Sequence, residues 1–323
     1  MKIETLAGCR IAGVCACLPK NAEDNLARCE EVYGSLSRAQ SVVKATGISR
    51  RRIVAAGMTS LDLCERAARD LLADTSTDAG AIGAVVFVTF TPERSMPCNA
   101  CQIQKRLGLP NDVIAFDLGL ACSGYAYGLY VAGLLVRQTG RKVLLLDGDV
   151  QSPVVRPDDE ATVPVLADAG TATLLVPEPD ANEWQFAFMS KGEGGEALQL
   201  PFGGTISMDG FAVFKFVAMD VSSFINQFMV AIGAESETFD RFVPHQANVY
   251  MIRQLAKTLK FPQEKLCVSG DEVGNSASAT VPVTIAWCGA RGRLLISGFG
   301  GGLSASVASI VIGESTLLKV VEV

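Results

Sequence analysis

The amino-acid sequence predicts a layered α/β fold built as two similar halves, and three observations carry that prediction. Short β-branched or leucine-rich runs alternate with longer segments of helical periodicity along the chain. A polar stretch with two prolines, Pro177 to Asn182, interrupts the alternation and divides the chain into 1–178 and 179–323. The halves also echo each other. Arg141-Lys-Val-Leu-Leu-Leu-Asp-Gly148 returns as Arg291-Gly-Arg-Leu-Leu-Ile-Ser-Gly298, each followed by a small-residue turn and a long strand.

In the first half, residues 10–16 read as a strand that ends in a Leu-Pro-Lys-Asn turn, and residues 23–45 as a polar helical segment. Thr46-Gly-Ile-Ser-Arg-Arg-Arg52 is a basic turn. Thr59 or Ser60 caps a helix through Leu72, with Leu63, Ala67, Ala68, Leu71 and Leu72 on one face. Ile82 to Phe90 is a buried strand by its β-branched run, and Asn99 to Leu107 a helix. Val113 to Phe116 is another short strand. After the turn Asp117–Gly124 a helix follows, because Tyr127, Tyr130, Leu134 and Val131, Leu135 recur at helical spacing. Lys142 to Leu146 is a buried strand, 152–165 a loop rich in proline and acid, and Thr171 to Val176 a strand.

In the second half, Trp184 to Met189 alternates as a strand, Gly192 to Gly210 is a long loop, and Phe211 to Val230 an amphipathic helix. Arg241 to Val243 is a short strand running into Pro244-His-Gln-Ala-Asn248, with a helix over Val249 to Leu259. Gly274-Asn-Ser-Ala-Ser278 opens the next helix, with Pro282 in its first turns. Arg293 to Ile296 is a strand into Ser297-Gly-Phe-Gly-Gly-Gly302, and Ser304 to Ile312 is the last long strand.

With 323 residues, 49% hydrophobic and only 19% charged, the chain has enough apolar material for a large core and a subunit interface. Its net charge of −6 argues against non-specific nucleic-acid binding, which needs a basic face. The longest apolar run is the helix after residue 122, too short and too rich in glycine and tyrosine to span a bilayer. Glu4 and Arg10 break the N-terminal apolar patch, so no signal peptide is expected. The 10 cysteines then fit free thiols in a reducing cytoplasm. Cys15-Ala-Cys17 and Cys98-Asn-Ala-Cys101 have metal-like spacings, but a single histidine leaves no second ligand pair; neither metal nor cofactor is expected.

Three polar side chains stand at strand-to-helix junctions: Cys122, His245 and Asn275. Taken singly, each has a plain structural reading. A free cysteine is most often a small buried hydrophobe, a lone histidine a hydrogen-bonded core residue, and an asparagine after glycine a cap. Together they match the needs of carbon–carbon bond formation from a thioester. A thiol at a helix N-terminus, its pKa lowered by the dipole, can hold an acyl group. Histidine and asparagine can donate to an enolate, and the amides of Gly298–Gly302 to an oxyanion.

The chain resembles the ketoacyl synthase III family of the thiolase-like fold over nearly its whole length. The resemblance rests on Thr46-Gly-Ile with Arg51-Arg52, Ala100-Cys-Gln-Ile-Gln104, Ala121-Cys-Ser-Gly-Tyr125, Asp168-Ala-Gly-Thr-Ala172 and Gly210-Phe-Ala-Val-Phe-Lys215. Pro244-His-Gln-Ala-Asn248, Gly274-Asn-Ser-Ala-Ser-Ala-Thr-Val-Pro282 and Phe299-Gly-Gly-Gly302 complete it. It implies a five-layered αβαβα homodimer acting on acyl and malonyl thioesters with an acyl carrier protein as partner. It implies Cys122, His245 and Asn275 as catalytic residues, with the amides of Cys122 and Gly301 as oxyanion hole. Substrate would be met by Phe299, Phe211, Asn248 and, from the partner subunit, Met96. Lys215, Arg253 and Lys257 would receive the acidic carrier. Where relatives that use a coenzyme A primer clamp its adenine between tryptophan and arginine, this sequence has Ser41 and Ala45, which favours a carrier-bound donor.

Two other readings compete. An acyltransferase of the same fold would need Cys122 but no enolate hole, so Asn275 speaks for condensation. A non-catalytic subunit of a mixed assembly would have no need of both Cys122 and His245. A degradative thiolase would want a second cysteine within Gly298–Gly302, and none is there.

Overall fold

Two sheets carry the architecture of the computed structural model, which describes all 323 residues. Their strands are β1 (Glu4–Leu6), β2 (Cys9–Leu18), β3 (Ile82–Val88), β4 (Ile114–Leu118), β5 (Lys142–Asp149) and β6 (Ala169–Pro177). Then come β7 (Trp184–Ser190), β8 (Arg241–Pro244), β9 (Gly292–Gly300), β10 (Ser304–Ile312) and β11 (Leu317–Glu322). One sheet has the order β11-β2-β6-β5-β3-β4 and the other β1-β7-β10-β9-β8.

The period-two pattern of the strands sorts their side chains into separate cores. Val14, Ala16, Val86, Val88, Val143 and Leu145 face inward, where they meet Leu294, Ile296 and Ile310 of the second sheet. The helices Gly124–Thr139 and Thr280–Cys288 are sandwiched in that central layer. The alternate residues Cys15, Cys17, Val85, Phe87, Leu144 and Leu146 face outward under the helices Ser60–Asp74 and Asn99–Leu107. On the second sheet, Leu295, Phe299 and Val307 face outward under the helices 210–231 and Val249–Thr258. The stack is therefore helix, sheet, helix, sheet, helix, the five-layered arrangement expected.

The buried helix Gly124–Thr139 turns glycines towards its sheet, which leaves no room for a side chain there. A Cβ at Gly124 would meet Val88 Cγ1 at 2.5 Å, and one at Gly128 would meet Leu145 Cδ1 at 2.7 Å. A methyl at either place would overpack the layer at about 1–3 kcal/mol. The close approach fixes the height at which the preceding turn, with Cys122, projects beyond the sheet.

The strands cross the division drawn at residue 178. β1 pairs antiparallel with β7 of the second sheet, and β11 pairs parallel with β2 of the first. Other differences are local. The segment 23–45 is two helices, Asn25–Tyr33 and Leu36–Thr46, because Gly34 adopts φ 61° and Ser35 caps the second by accepting from Arg38 N. The loop 192–210 contains a small hairpin, Leu198–Gln199 against Ser207–Met208. The helix expected from Gly274 begins at Thr280, since Asn275 is tied by its backbone to Val165 and Ala167. The longest apolar helix is 210–231, long and apolar enough by length and composition to cross a membrane; here half of it is buried against the outer face of the second sheet.

Candidate active site

The turn after β4 ends at Cys122, and the last residues of β9 pass directly over it. A Cβ at Gly300 would lie 3.0 Å from Cys122 Sγ, and one at Gly298 would lie 2.6 Å from the Cys122 carbonyl oxygen. Only glycine permits that approach, which is why the second half of the chain can lay backbone N–H groups beside a thiol of the first. Ser123 and Ser304 fasten the crossing with a hydroxyl contact of 2.8 Å, and Ser304 Oγ donates to Gly301 O at 2.7 Å.

His245 follows β8, its backbone N–H bonded to Ser297 O of the neighbouring strand. The ring is buried, edge-on to Phe299 with centroids 5.2 Å apart. Burial holds its pKa down at about 3, so the imidazole is neutral at physiological pH. Nδ1 lies 2.7 Å from Thr280 Oγ1, whose single hydrogen is also within reach of Ala277 O at 2.9 Å. With that hydrogen on Nδ1, the ring carries its own N–H at Nε2 and becomes a donor there.

Asn275 is held by its main chain. Its N–H bonds Val165 O, and its carbonyl accepts from Ala167 N and from Gln151 Nε2. Oδ1 accepts from Ala277 N at 3.0 Å, which turns the amide NH2 away from the local turn. Cys122, His245, Asn275, Phe299 and Gly300–Gly302 all line one cavity of about 650 Å³, together with Phe90, Leu198 and Leu303. A thiol, a neutral imidazole, a carboxamide and a glycine backbone facing one apolar space suit an acyl group and its enolate partner.

The thiol departs from expectation. Burial pushes Cys122 up to about 12, Asp149 adds to the rise, and its own backbone N–H only partly opposes it. The lowering expected of a helix N-terminus does not prevail over desolvation. In the free protein, alkylation of Cys122 by iodoacetamide should therefore accelerate about tenfold per pH unit from pH ~6 to ~9 without levelling. Peptide mass analysis separates this thiol from exposed Cys101 and Cys288; a plateau near neutrality would show a preformed thiolate.

The remaining expected residues divide. Asn248 lines the cavity and also caps the next helix, Oδ1 accepting from Met251 N at 2.7 Å. Phe211 is 79% exposed and lies outside the lining, although Gly210 and Val213 beside it belong to it. Met96 is 84% exposed, so it fills no core of its own subunit and does not reach its own cavity. Lys215, Arg253 and Lys257 are exposed and enter no ion pair.

Sequence reasoning missed Asp149. Its Oδ1 accepts from Thr89 Oγ1 and Phe90 N at 2.9 Å, and its Oδ2 from Ser278 N and Oγ at 3.1 and 2.6 Å. Burial raises it to about 6 against these donors, so it is a carboxylate at neutral pH. It joins the loop after β3 to the loop that carries Asn275. The Asp-Gly-Asp spacing at the end of a buried strand was the available signal.

A family model described as 3-oxoacyl-(acyl-carrier-protein) synthase III matches residues 116–192, and its C-terminal counterpart matches residues 229–312. The beta-ketoacyl-(acyl-carrier-protein) synthase III of Alkalilimnicola ehrlichii is 33% identical, covering 82% of this chain and 88% of its own. Synthase III 2 of Streptomyces coelicolor is 33% identical over 94% of both. Among solved structures, a 3-oxoacyl-(acyl-carrier-protein) synthase from Burkholderia xenovorans superposes with a TM-score of 0.95 at 30% identity, covering 100% of this chain and 99% of the other.

Proposed function

Since this chain belongs to the 3-oxoacyl-(acyl-carrier-protein) synthase III family, we propose that it joins a Cys122-bound acyl group to a malonyl thioester with loss of carbon dioxide. Cys122 Sγ attacks the acyl thioester, and the donor thiol leaves with the proton. The amides of Cys122 and Gly301 receive the oxyanion. In the second half-reaction, His245 Nε2–H and the Asn275 NH2 hold the malonyl thioester oxygen. The C–CO2 bond breaks and leaves an enolate, whose carbon attacks the acyl carbonyl. The product is a 3-ketoacyl thioester, and Cys122 leaves as thiolate. Phe299 supplies an apolar wall against the malonyl carboxylate. The observation that carries this reading is the shared cavity: a nucleophile from one half and two N–H donors from the other face the same apolar space.

An acyl carrier protein is the partner we infer, received by Lys215, Arg253 and Lys257. These cations lie on the helices whose residues Val213 and Met251, with the cap Asn248, line the cavity. The test is intact-mass analysis after incubation with acyl-coenzyme A and acyl-carrier thioesters. An adduct absent from Cys122→Ala is expected, formed faster from carrier-bound donors, with the advantage shrinking as salt rises. Adducts from coenzyme A alone would remove the carrier; no adduct from any donor would favour the subunit reading.

We also infer a homodimer. β4 is an edge strand, apolar but for Asp117 and with Ile114 42% exposed, and unpaired strand edges invite pairing with another chain. Exposed Met96 lies in the same region of the chain and would enter the partner's cavity. Light scattering at micromolar concentration should give a dimer mass; a monomer would leave Met96 without that role.

A further inference from the structure

One polar side chain of the cavity has no part in the chemistry above. Gln151, two residues beyond β5, lines the cavity and is 2% exposed. Its Nε2 donates to Ala167 O and Asn275 O, both at 2.7 Å. Two carbonyl acceptors on one side fix which end of the amide is nitrogen, and they use both of its hydrogens. Oε1 therefore points the other way, and no protein group donates to it. Nor is it sealed in, unlike the unpaired carboxyl oxygens of Asp147. The cavity it lines is largely apolar, with Phe90, Ala161, Val165 and Leu166 among its walls.

We propose that Gln151 makes the enzyme select an acyl group bearing a hydroxyl, which donates to Oε1; this rests on the reading that Cys122 is acylated. Three observations support the choice. First, an acceptor left empty in an apolar wall costs about 1–3 kcal/mol, so an acyl chain lacking a donor is penalised when it displaces water from Oε1. Second, no aspartate or glutamate lines the cavity, which disfavours an ammonium as the donor. Third, Gln151 and Phe90 follow the adjacent strands β5 and β3 of the first sheet. Gly210, which is exposed, and Asn248 lie at the N-termini of the helices that carry the basic residues. A carrier docked on those cations would send its arm in from that second side, which leaves Gln151 to the acyl chain.

The experiment is a competition between octanoyl and hydroxyoctanoyl thioesters on one carrier, the hydroxyl placed at successive carbons, read as the ratio of Cys122 adducts by intact mass. At least one hydroxylated isomer should load about tenfold faster than octanoyl in the unaltered protein. Gln151→Leu should bring that ratio to one or below. Because the leucine also strips donors from Ala167 O and Asn275 O, the ratio in the unaltered protein decides the matter if the variant fails to fold. Ratios near one for every isomer would overturn the proposal and leave Oε1 merely hydrated. A preference retained in Gln151→Leu would overturn it too, as would equal slowing of both donors, which would assign Oε1 to the shared carrier arm. Loading by no donor at all would instead defeat the acylation reading beneath it.

Discussion

His245→Ala and Asn275→Ala should each lower malonyl decarboxylation by about 10²–10³-fold while Cys122 still takes up acyl groups. The division follows from what each side chain can reach. On the proposed mechanism, acyl transfer to the thiol draws on the backbone amides beside Gly300, whereas the enolate oxygen has only the imidazole and carboxamide N–H groups. Thr280→Val should share the phenotype of His245→Ala in weaker form. Without the hydroxyl at 2.7 Å, no donor holds Nδ1 as an acceptor, and the neutral ring can carry its hydrogen at either nitrogen. Measuring carbon dioxide release and intact mass on the same samples separates the two half-reactions. Loss of acyl uptake in all three, with circular dichroism unchanged, would mean that the histidine side also serves the thiol.

Asp149→Asn should cost about 3 kcal/mol of stability and most of the condensation activity, although Asp149 contacts no proposed substrate atom. The carboxylate uses one oxygen for the Thr89–Thr91 turn and the other for Ser278. An asparagine keeps one oxygen and turns an NH2 towards donors on the other side. Denaturant unfolding gives the first quantity. The second should divide unevenly: decarboxylation falls further than acyl loading, because Asn275 stands on the loop that Ser278 anchors. A variant as stable as the parent would show that water replaces the lost acceptor.

Much of this was legible in the chain. The alternation of Val14, Ala16 and Leu18 with Cys15 and Cys17 dictates a strand buried on both faces. Cys122, His245 and Asn275 were readable as a set because each sits beside small residues. The strand-to-helix junction expected for all three holds for Cys122 and His245, whereas Asn275 follows the short helix Gly270–Val273 and is tied by its backbone to the loop at 165–167. Less visible were features that depend on distant partners. Asp149 meets Ser278 across 129 positions and Gln151 meets Asn275 across 124, so neither shows its role in local pattern. β1 has three residues, too few for periodicity, and β11 is defined by pairing with β2. The break at Gly34 was lost in a polar segment whose composition suits a helix on either side. For Cys122, the local rule about helix ends was sound, but the layer of protein closing over the thiol outweighs it.

The exchange of β1 and β11 between the sheets has a consequence for how the molecule comes into being. During synthesis the first sheet can gather β2 to β6 early, yet the strand that completes its β2 side lies at 317–322, after the entire second sheet. The second sheet in turn takes an outermost strand from residues 4–6, ahead of the whole first sheet's core strands. The first layer cannot be finished before the whole of the second has been translated, so no completed first half precedes the second. The thiol and its two donors thus come together only as a late event of folding, when nearly every residue is present to close the cavity around them.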